Sequence, residues 1–290
     1  MLKWMLILLS TVCAFSFVEP QYSGVFDVRY IKSNAASGAG LFSISDFELF
    51  ANFPIDPHRR LVYETHLASN NIEWAQQFYF DIDPISLPGS FRLGRFNLPF
   101  GQEPGRLKDR AFMANRVIYD IPSLIPKSET GVGYFHNTRP FSVDLFFVNA
   151  NDGTAKTTGG DLRFLIKDTL DAGFSMMWAD SLFLAGTDYH FPLGPFDFSA
   201  DYQLVSGRSS GVPIEGNGAS GQVLINIDKS MAIGSQYSVY NKNDSPKSSR
   251  LLFNTTLRLS YDLTIRLEYM IDHLLGVDDN VFQAQWMVAL

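Results

Sequence analysis

The chain has a single cysteine, Cys13, and beyond its first nineteen residues no apolar run approaching eighteen. The second absence excludes a membrane-spanning helix. The first matters because Lys3 followed by the apolar stretch from Trp4 to Phe17 has the form of a secretory leader, too short for a comfortable span. Ala14 and Ser16 set the expected cut after Ser16, so residues 1–16 are read as a signal peptide and 17–290 as the mature chain. Val12 before Cys13 fits a lipidated cysteine poorly. The mature chain then has no cysteine, which suits an oxidising compartment and excludes thiolate chemistry and thiolate metal sites. Basic residues are also scarce: without Lys3, 22 Lys and Arg face 30 Asp and Glu, a net charge of −8. That balance disfavours nucleic acid, whose binding rests on neutralising phosphates. Metal-ligand spacing is missing too, since His58, His66, His136, His190 and His273 are scattered. His190 near Asp188, or His66 near Glu64, shares a strand face rather than forming a catalytic pair. Gly216-Asn-Gly218 and Gly159-Gly160 lack the context of phosphate loops and read as turns. Neither a cofactor nor a catalytic residue is expected.

What the chain has in quantity is aromatic side chains, 25 Phe and 12 Tyr among them, and short runs alternating with period two. Phe196, Phe198, Ala200, Tyr202 and Leu204 alternate with Asp197, Ser199, Asp201 and Gln203. Leu263, Ile265, Leu267, Tyr269 and Ile271 alternate with Thr264, Arg266, Glu268, Met270 and Asp272. Such strands serve a soluble sandwich with its apolar face inward, or a membrane barrel with that face on lipid and aromatic girdles at the interfaces. About sixteen strands can be counted between residues 22 and 290. Links after even-numbered strands are tight, as at Asn137–Pro140 and Pro192–Pro195. Those after odd-numbered strands are mostly longer, as at Asn151–Gly160, Ser206–Ser220, Asn241–Ser249 and His273–Asn280, although Asn70–Asn71 and Asp180–Ser181 are short. An even count with this asymmetry is the plan of a transmembrane antiparallel β-barrel with both termini on the periplasmic side. The last strand, with Phe282, Ala284, Trp286, Val288 and Leu290 alternating to the C-terminus, resembles the recognition signal of outer-membrane barrels, though those usually end on Phe.

One link stands apart. After Phe91–Leu98 and the breaker Pro99-Phe100-Gly101, the segment 102–129 has no strand alternation yet carries Phe112, Met113, Val117, Ile118 and Tyr119. It is too apolar to remain solvated. As the third loop of the barrel, it is expected to fold into the lumen as a constriction, bringing Glu103, Arg106, Lys108, Asp109, Arg110, Arg116 and Asp120.

Phe91-Arg-Leu-Gly-Arg-Phe-Asn-Leu-Pro-Phe-Gly-Gln-Glu103, then Arg110-Ala-Phe-Met-Ala-Asn-Arg116 and Thr130-Gly-Val-Gly133, resembles the phosphate-selective porin O/P family over about forty-five residues. The resemblance implies a Gram-negative outer-membrane channel of sixteen strands, a homotrimer, with its third loop in the pore. The lysines and arginines that give the family its anion preference do not map onto this chain.

Turning the apolar parity outward leaves a mostly acidic inner wall: Asp27, Asp46, Glu48, Glu64, Glu73, Asp81, Asp83, Asp144, Asp188, Asp197, Asp201, Asp228, Glu268 and Asp272. The inward bases are fewer, namely Arg29, Arg163, Lys167, Arg258 and Arg266, with Arg95 and Phe96 both inward only if a bulge separates them. Closure brings Arg29, Arg258 and Arg266 to one wall at the seam. An acidic wall predicts cation preference, and opposed charges on loop and wall predict a transverse field. The expected function is passive diffusion of small hydrophilic solutes and ions through a barrel held in outer-membrane lipid. Alternatives are an anion- or phosphate-selective channel, an outer-membrane barrel enzyme, or a soluble periplasmic β-sandwich binding protein.

Overall fold

A computed structural model describes residues 19–33, 40–68, 71–100, 128–149, 156–166, 169–179, 181–209, 212–242, 247–274 and 277–289, with backbone alone at several strand positions including 43–46, 66–68 and 71–76. The expected signal peptide, the seven loop residues expected at the constriction from Glu103 to Asp120, and Lys167 lie outside the described residues. Sixteen strands run in order: β1 (Gln21–Ser33), β2 (Leu41–Asp56), β3 (Arg59–Ala68), β4 (Asn71–Ile82), β5 (Ser90–Asn97), β6 (Ser128–Thr138), β7 (Phe141–Asn149), β8 (Lys156–Ile166), β9 (Leu170–Ala179), β10 (Leu182–Leu193), β11 (Phe196–Ser209), β12 (Val212–Asn226), β13 (Met231–Lys242), β14 (Ser248–Arg258), β15 (Leu263–Leu274) and β16 (Val277–Ala289). Each pairs antiparallel with its sequence neighbours, and β1 pairs with β16 from Val25↔Ala289 to Ser33↔Val281, closing the barrel. Closure leaves no free strand edge, the condition for crossing hydrocarbon with β structure.

Alternation fixes which side chains face out. On β11, Phe198, Tyr202 and Leu204 are exposed while Ser199, Asp201 and Gln203 are buried. On β15, Leu267, Tyr269 and Ile271 are exposed while Arg266, Glu268, Met270 and Asp272 are buried. Aromatics stack across the outer surface between register partners, as Phe141 on Phe164 at 5.2 Å and Trp178 on Phe183 at 5.0 Å between ring centroids. Phe147 at 56%, Leu145 at 52% and Tyr237 at 53% exposure belong to an apolar band that continues around the barrel. A band of that extent is far larger than a soluble monomer leaves in water, and its natural solvent is a bilayer. The structure is therefore a transmembrane barrel rather than a sandwich.

Three expectations are corrected. Ser206–Ser220 and His273–Asn280 are mostly strand, because β11 continues to Ser209, β12 starts at Val212, β15 ends at Leu274 and β16 starts at Val277. Hairpin ladder bonds, from Arg208↔Pro213 and Ser209↔Val212 and from Leu274↔Val277 onward, hold these stretches extended without a clean apolar face to mark them. The long third link is shorter than 102–129 at its far end, since β6 opens at Ser128. Finally, β5 carries no bulge: it pairs without register shift from Ile82↔Phe91 to Phe78↔Arg95. Arg92 and Phe96 share the inner face with Gly94, while Arg95 lies on the outer parity and donates from Nε to Ser128 Oγ at 3.2 Å. Gly94 has φ +130°, and a Cβ there would lie 2.3 Å from the carbonyl oxygen of Phe78, so this strand requires glycine.

Candidate functional site

The inner wall divides into charged sectors. Between β7 and β11, Asp144, Asp161, Asp171, Asp188, Asp197 and Asp201 face inward with Arg163 and His190. Arg163, on β8, reaches Asp161 at 3.4 Å, Asp171 at 2.8 Å and Asp188 at 2.9 Å. Its bond to Asp188 crosses β9 at Gly173, which is the register partner of both residues. A Cβ at Gly173 would lie 2.6 Å from Asp188 Oδ1 and 2.9 Å from Arg163 Nη2, so the missing side chain makes the bridge possible. Ser175 donates to Asp161 at 2.6 Å, Ser220 donates to Asp201, and His190 Nε2 lies 2.5 Å from Asp197.

The seam from β14 to β1 has more bases. Arg266 sits within electrostatic reach of Arg29, Arg258, Asp27 and Glu268, so the three arginines expected at one wall are neighbours. Arg29 donates from Nε to Asp27 at 2.8 Å. Gln285, fully buried, is the register partner of both Arg29 and Arg266. Arg258 is exposed at the end of β14, 3.4 Å from the Lys229 carbonyl. Toward the opposite end of the barrel, Arg250 and Asp272 form a buried bidentate pair at 2.6 and 2.8 Å.

A third sector joins β3, β4 and β5. Asp81, 1% exposed, accepts from Arg92 Nε at 2.9 Å and from Arg60 Nη2 at 2.8 Å. Glu64 is buried and accepts from Gln77 at 2.6 Å. Glu48 is buried on β2. Asp46 and Glu73 pair in the ladder with Asp27 and His66, their side chains lying outside the described set. Asp228, expected on the wall, instead lies in the turn after β12 and accepts from the amides of Ser230 and Met231 and the Ser230 hydroxyl. These bonds hold its carboxyl below the ordinary range, the Ser230 hydroxyl contributing most.

Sequence reasoning missed Arg60, Arg92 and Arg250 as inward bases. The signal was present for Arg92, which stands between apolar Phe91 and Leu93. It also missed that part of the inner wall is apolar. Phe146, Val148, Met177, Leu182, Leu184 and Val205 form one buried cluster with Phe96 and Phe100. Most of this cluster lies toward the end of the barrel opposite the termini. Phe100 follows β5, yet a Cβ added at Gly186 on β10 would lie 3.8 Å from its ring. The chain leaving β5 therefore turns into the interior and packs against a wall five strands away.

Eight strands separate β1 from β9 in the sixteen-strand ring, so the arginine-rich seam faces the carboxylate-rich wall across the lumen. No family model and no curated protein matches the sequence. Solved structures do. The barrel is similar to an anion-selective porin from Comamonas acidovorans, with TM-score 0.76 and 13% identity over 94% of this chain and 99% of that one. It is similar to the outer membrane channel DcaP of Acinetobacter baumannii, with TM-score 0.68 and 10% identity over 94% and 97%. It is also similar to in-vitro folded OmpT, an outer membrane protein of Vibrio cholerae, in its trimer form, with TM-score 0.69 and 9% identity over 94% and 99%. The fold is that of the outer-membrane porins.

Proposed function

We propose that the protein is a diffusion porin of a Gram-negative outer membrane, passing small hydrophilic solutes and ions and performing no catalysis. The observation that carries this reading is a closed barrel with an apolar outer band whose lumen sets a carboxylate-rich wall against a seam of mixed arginines and carboxylates. Such walls set a field across the path, which orients dipolar solutes and leaves apolar ones without compensation for lost water. The end bearing the termini is periplasmic on this reading, and the segment after Phe100 narrows the lumen. The role of Glu103, Arg106, Lys108, Asp109, Arg110, Arg116 and Asp120 as constriction residues belongs to the same proposal. The acidic excess on the described wall favours cations.

The resemblance of residues 91–133 to phosphate-selective porins, together with the similarity to the anion-selective Comamonas porin, supports a second reading, an anion channel. The trimer form of Vibrio cholerae OmpT supports a homotrimer. The test is the purified chain in a planar bilayer under a potassium chloride gradient. Discrete conductance steps with a cation-favouring reversal potential are expected. An anion-favouring potential selects the second reading, and a chain that stays dissolved without detergent and conducts nothing overturns both.

A further inference from the structure

At the end of the lumen that bears the termini, a cavity of about 630 Å3 opens among the ends of β3, β5, β6 and β7 and the turn after β4. Arg60, Arg92, Asp83, Asp144, Ser142 and Phe135 line it. Its two arginines are fixed differently. The Arg92 guanidinium lies 3.9 Å from the centroid of the Tyr79 ring and 4.3 Å from that of Phe135, with Asp81 holding its edge. Two aromatic contacts and a carboxylate leave this group little rotational freedom. Arg60 approaches the same Asp81 oxygen from Nε at 3.0 Å and from Nη2 at 2.8 Å, and its side chain is 48% exposed. One buried carboxylate thus serves two guanidiniums, and Arg60 keeps part of its side chain exposed at the cavity wall.

The same cavity carries two carboxylates, Asp83 and Asp144. Among the described residues neither side chain makes a hydrogen bond or a salt bridge, although Asp83 acts electrostatically on Arg60, and Arg92 on Asp144. A simple anion entering here meets Asp83 and Asp144, and a simple cation meets Arg60 and Arg92. A molecule with both charges satisfies both sides, and the volume is ample for an amino acid or a dipeptide. We propose that this cavity is a subsite for small zwitterions of the amino acid and dipeptide class: Arg60, backed by Arg92, takes the carboxylate, and Asp83 with Asp144 takes the ammonium.

This inference rests on the pore reading and names what that pore retains. The experiment places the full-length barrel in a planar bilayer in potassium chloride and adds glycylglycine to both sides. Glycylglycine is expected to interrupt the open current in a concentration-dependent way, while acetate and ethylammonium at matched concentration do so far more weakly. Arg60→Gln, and separately the pair Asp83→Asn with Asp144→Asn, should each raise the half-blocking concentration by about tenfold, the scale of one lost charged hydrogen bond. Each variant's own open current reports that its barrel has formed. Salt conductance without any dipeptide block overturns the subsite and leaves the pore standing. Acetate blocking as strongly as glycylglycine overturns it in favour of an anion site. A wild-type chain without conductance overturns the pore and the subsite together.

Discussion

Replacing Arg163 with Gln removes the cation that three inner-wall carboxylates share. Its contacts to Asp171, Asp188 and Asp161 are 2.8, 2.9 and 3.4 Å, and Asp188 is 1% exposed. The glutamine amide can donate to one of them but carries no charge. Breaking a buried ion pair by removing one partner costs about 3–5 kcal/mol, because the remaining charge stays desolvated. Lumen water reaches Asp171, at 29% exposure, and moves the expected cost toward the lower bound. The assay is equilibrium urea unfolding of the refolded barrel in detergent, followed by tryptophan fluorescence. The double variant with Asp188→Asn should recover at least half of the loss, since it removes the charge left unpaired. A second, independent readout is the reversal potential, expected to shift toward cations. A loss within about 1 kcal/mol of zero, the range of exposed surface pairs, would show that water screens the cluster fully and would refute its description as buried.

Gly173→Ala places a methyl group 2.6 Å from Asp188 Oδ1, so it should destabilise by about 1–3 kcal/mol and add little to Arg163→Gln in the same urea assay. Full additivity would mean that the bridge does not pass over Gly173. Phe100→Ala removes the ring that seats the chain leaving β5 beside Gly186, with an expected cost of about 3–5 kcal/mol. Its single-channel current should also become larger and noisier, and an unaltered current would count against that chain narrowing the lumen. Asp228→Ala tests the turn after β12. A carboxyl held low in the folded state contributes stability above its unfolded value, about 4, and loses it as pH falls. The variant should therefore lack the acid-side decline this turn gives the wild type, as read from unfolding midpoints between pH 7 and pH 3.

The strand count and the closed topology were legible because the lipid-facing parity is long and unbroken within strands: Phe196 to Leu204 on β11, Leu263 to Ile271 on β15 and Phe282 to Val288 on β16 each put an apolar residue at every second position. Legibility failed where both parities are apolar. Phe146-Phe147-Val148 and Leu182-Phe183-Leu184 each send the middle residue to lipid and its neighbours to the interior cluster, Met176-Met177-Trp178 does the reverse, and no period-two rule ranks them. Such doubly apolar runs are themselves a signal that the wall behind them is covered by chain rather than by water. Ion pairs were less accessible still. Alternation assigns Arg163 and Asp188 to one face, but only the register through Gly173 brings them together. Arg60, Arg92 and Arg250 stand at strand ends, where a one-residue error in the boundary conceals a base.

The distribution of these features along the barrel has a mechanical consequence. The apolar cluster occupies mainly the end opposite the termini on β5 to β13, and Arg60, Asp81, Arg92, Asp171 and Asp197 occupy the other end. The seam wall opposite presents Arg29, Arg266, Glu268 and Gln285, with a smaller apolar cluster of Leu252, Met270 and Val281 beyond them. Hydrophobic burial holds Phe100 at the larger cluster, beside Gly186 on β10. On the proposed pore reading, solutes meet the charges of the seam and then those of Arg60, Asp83 and Asp144.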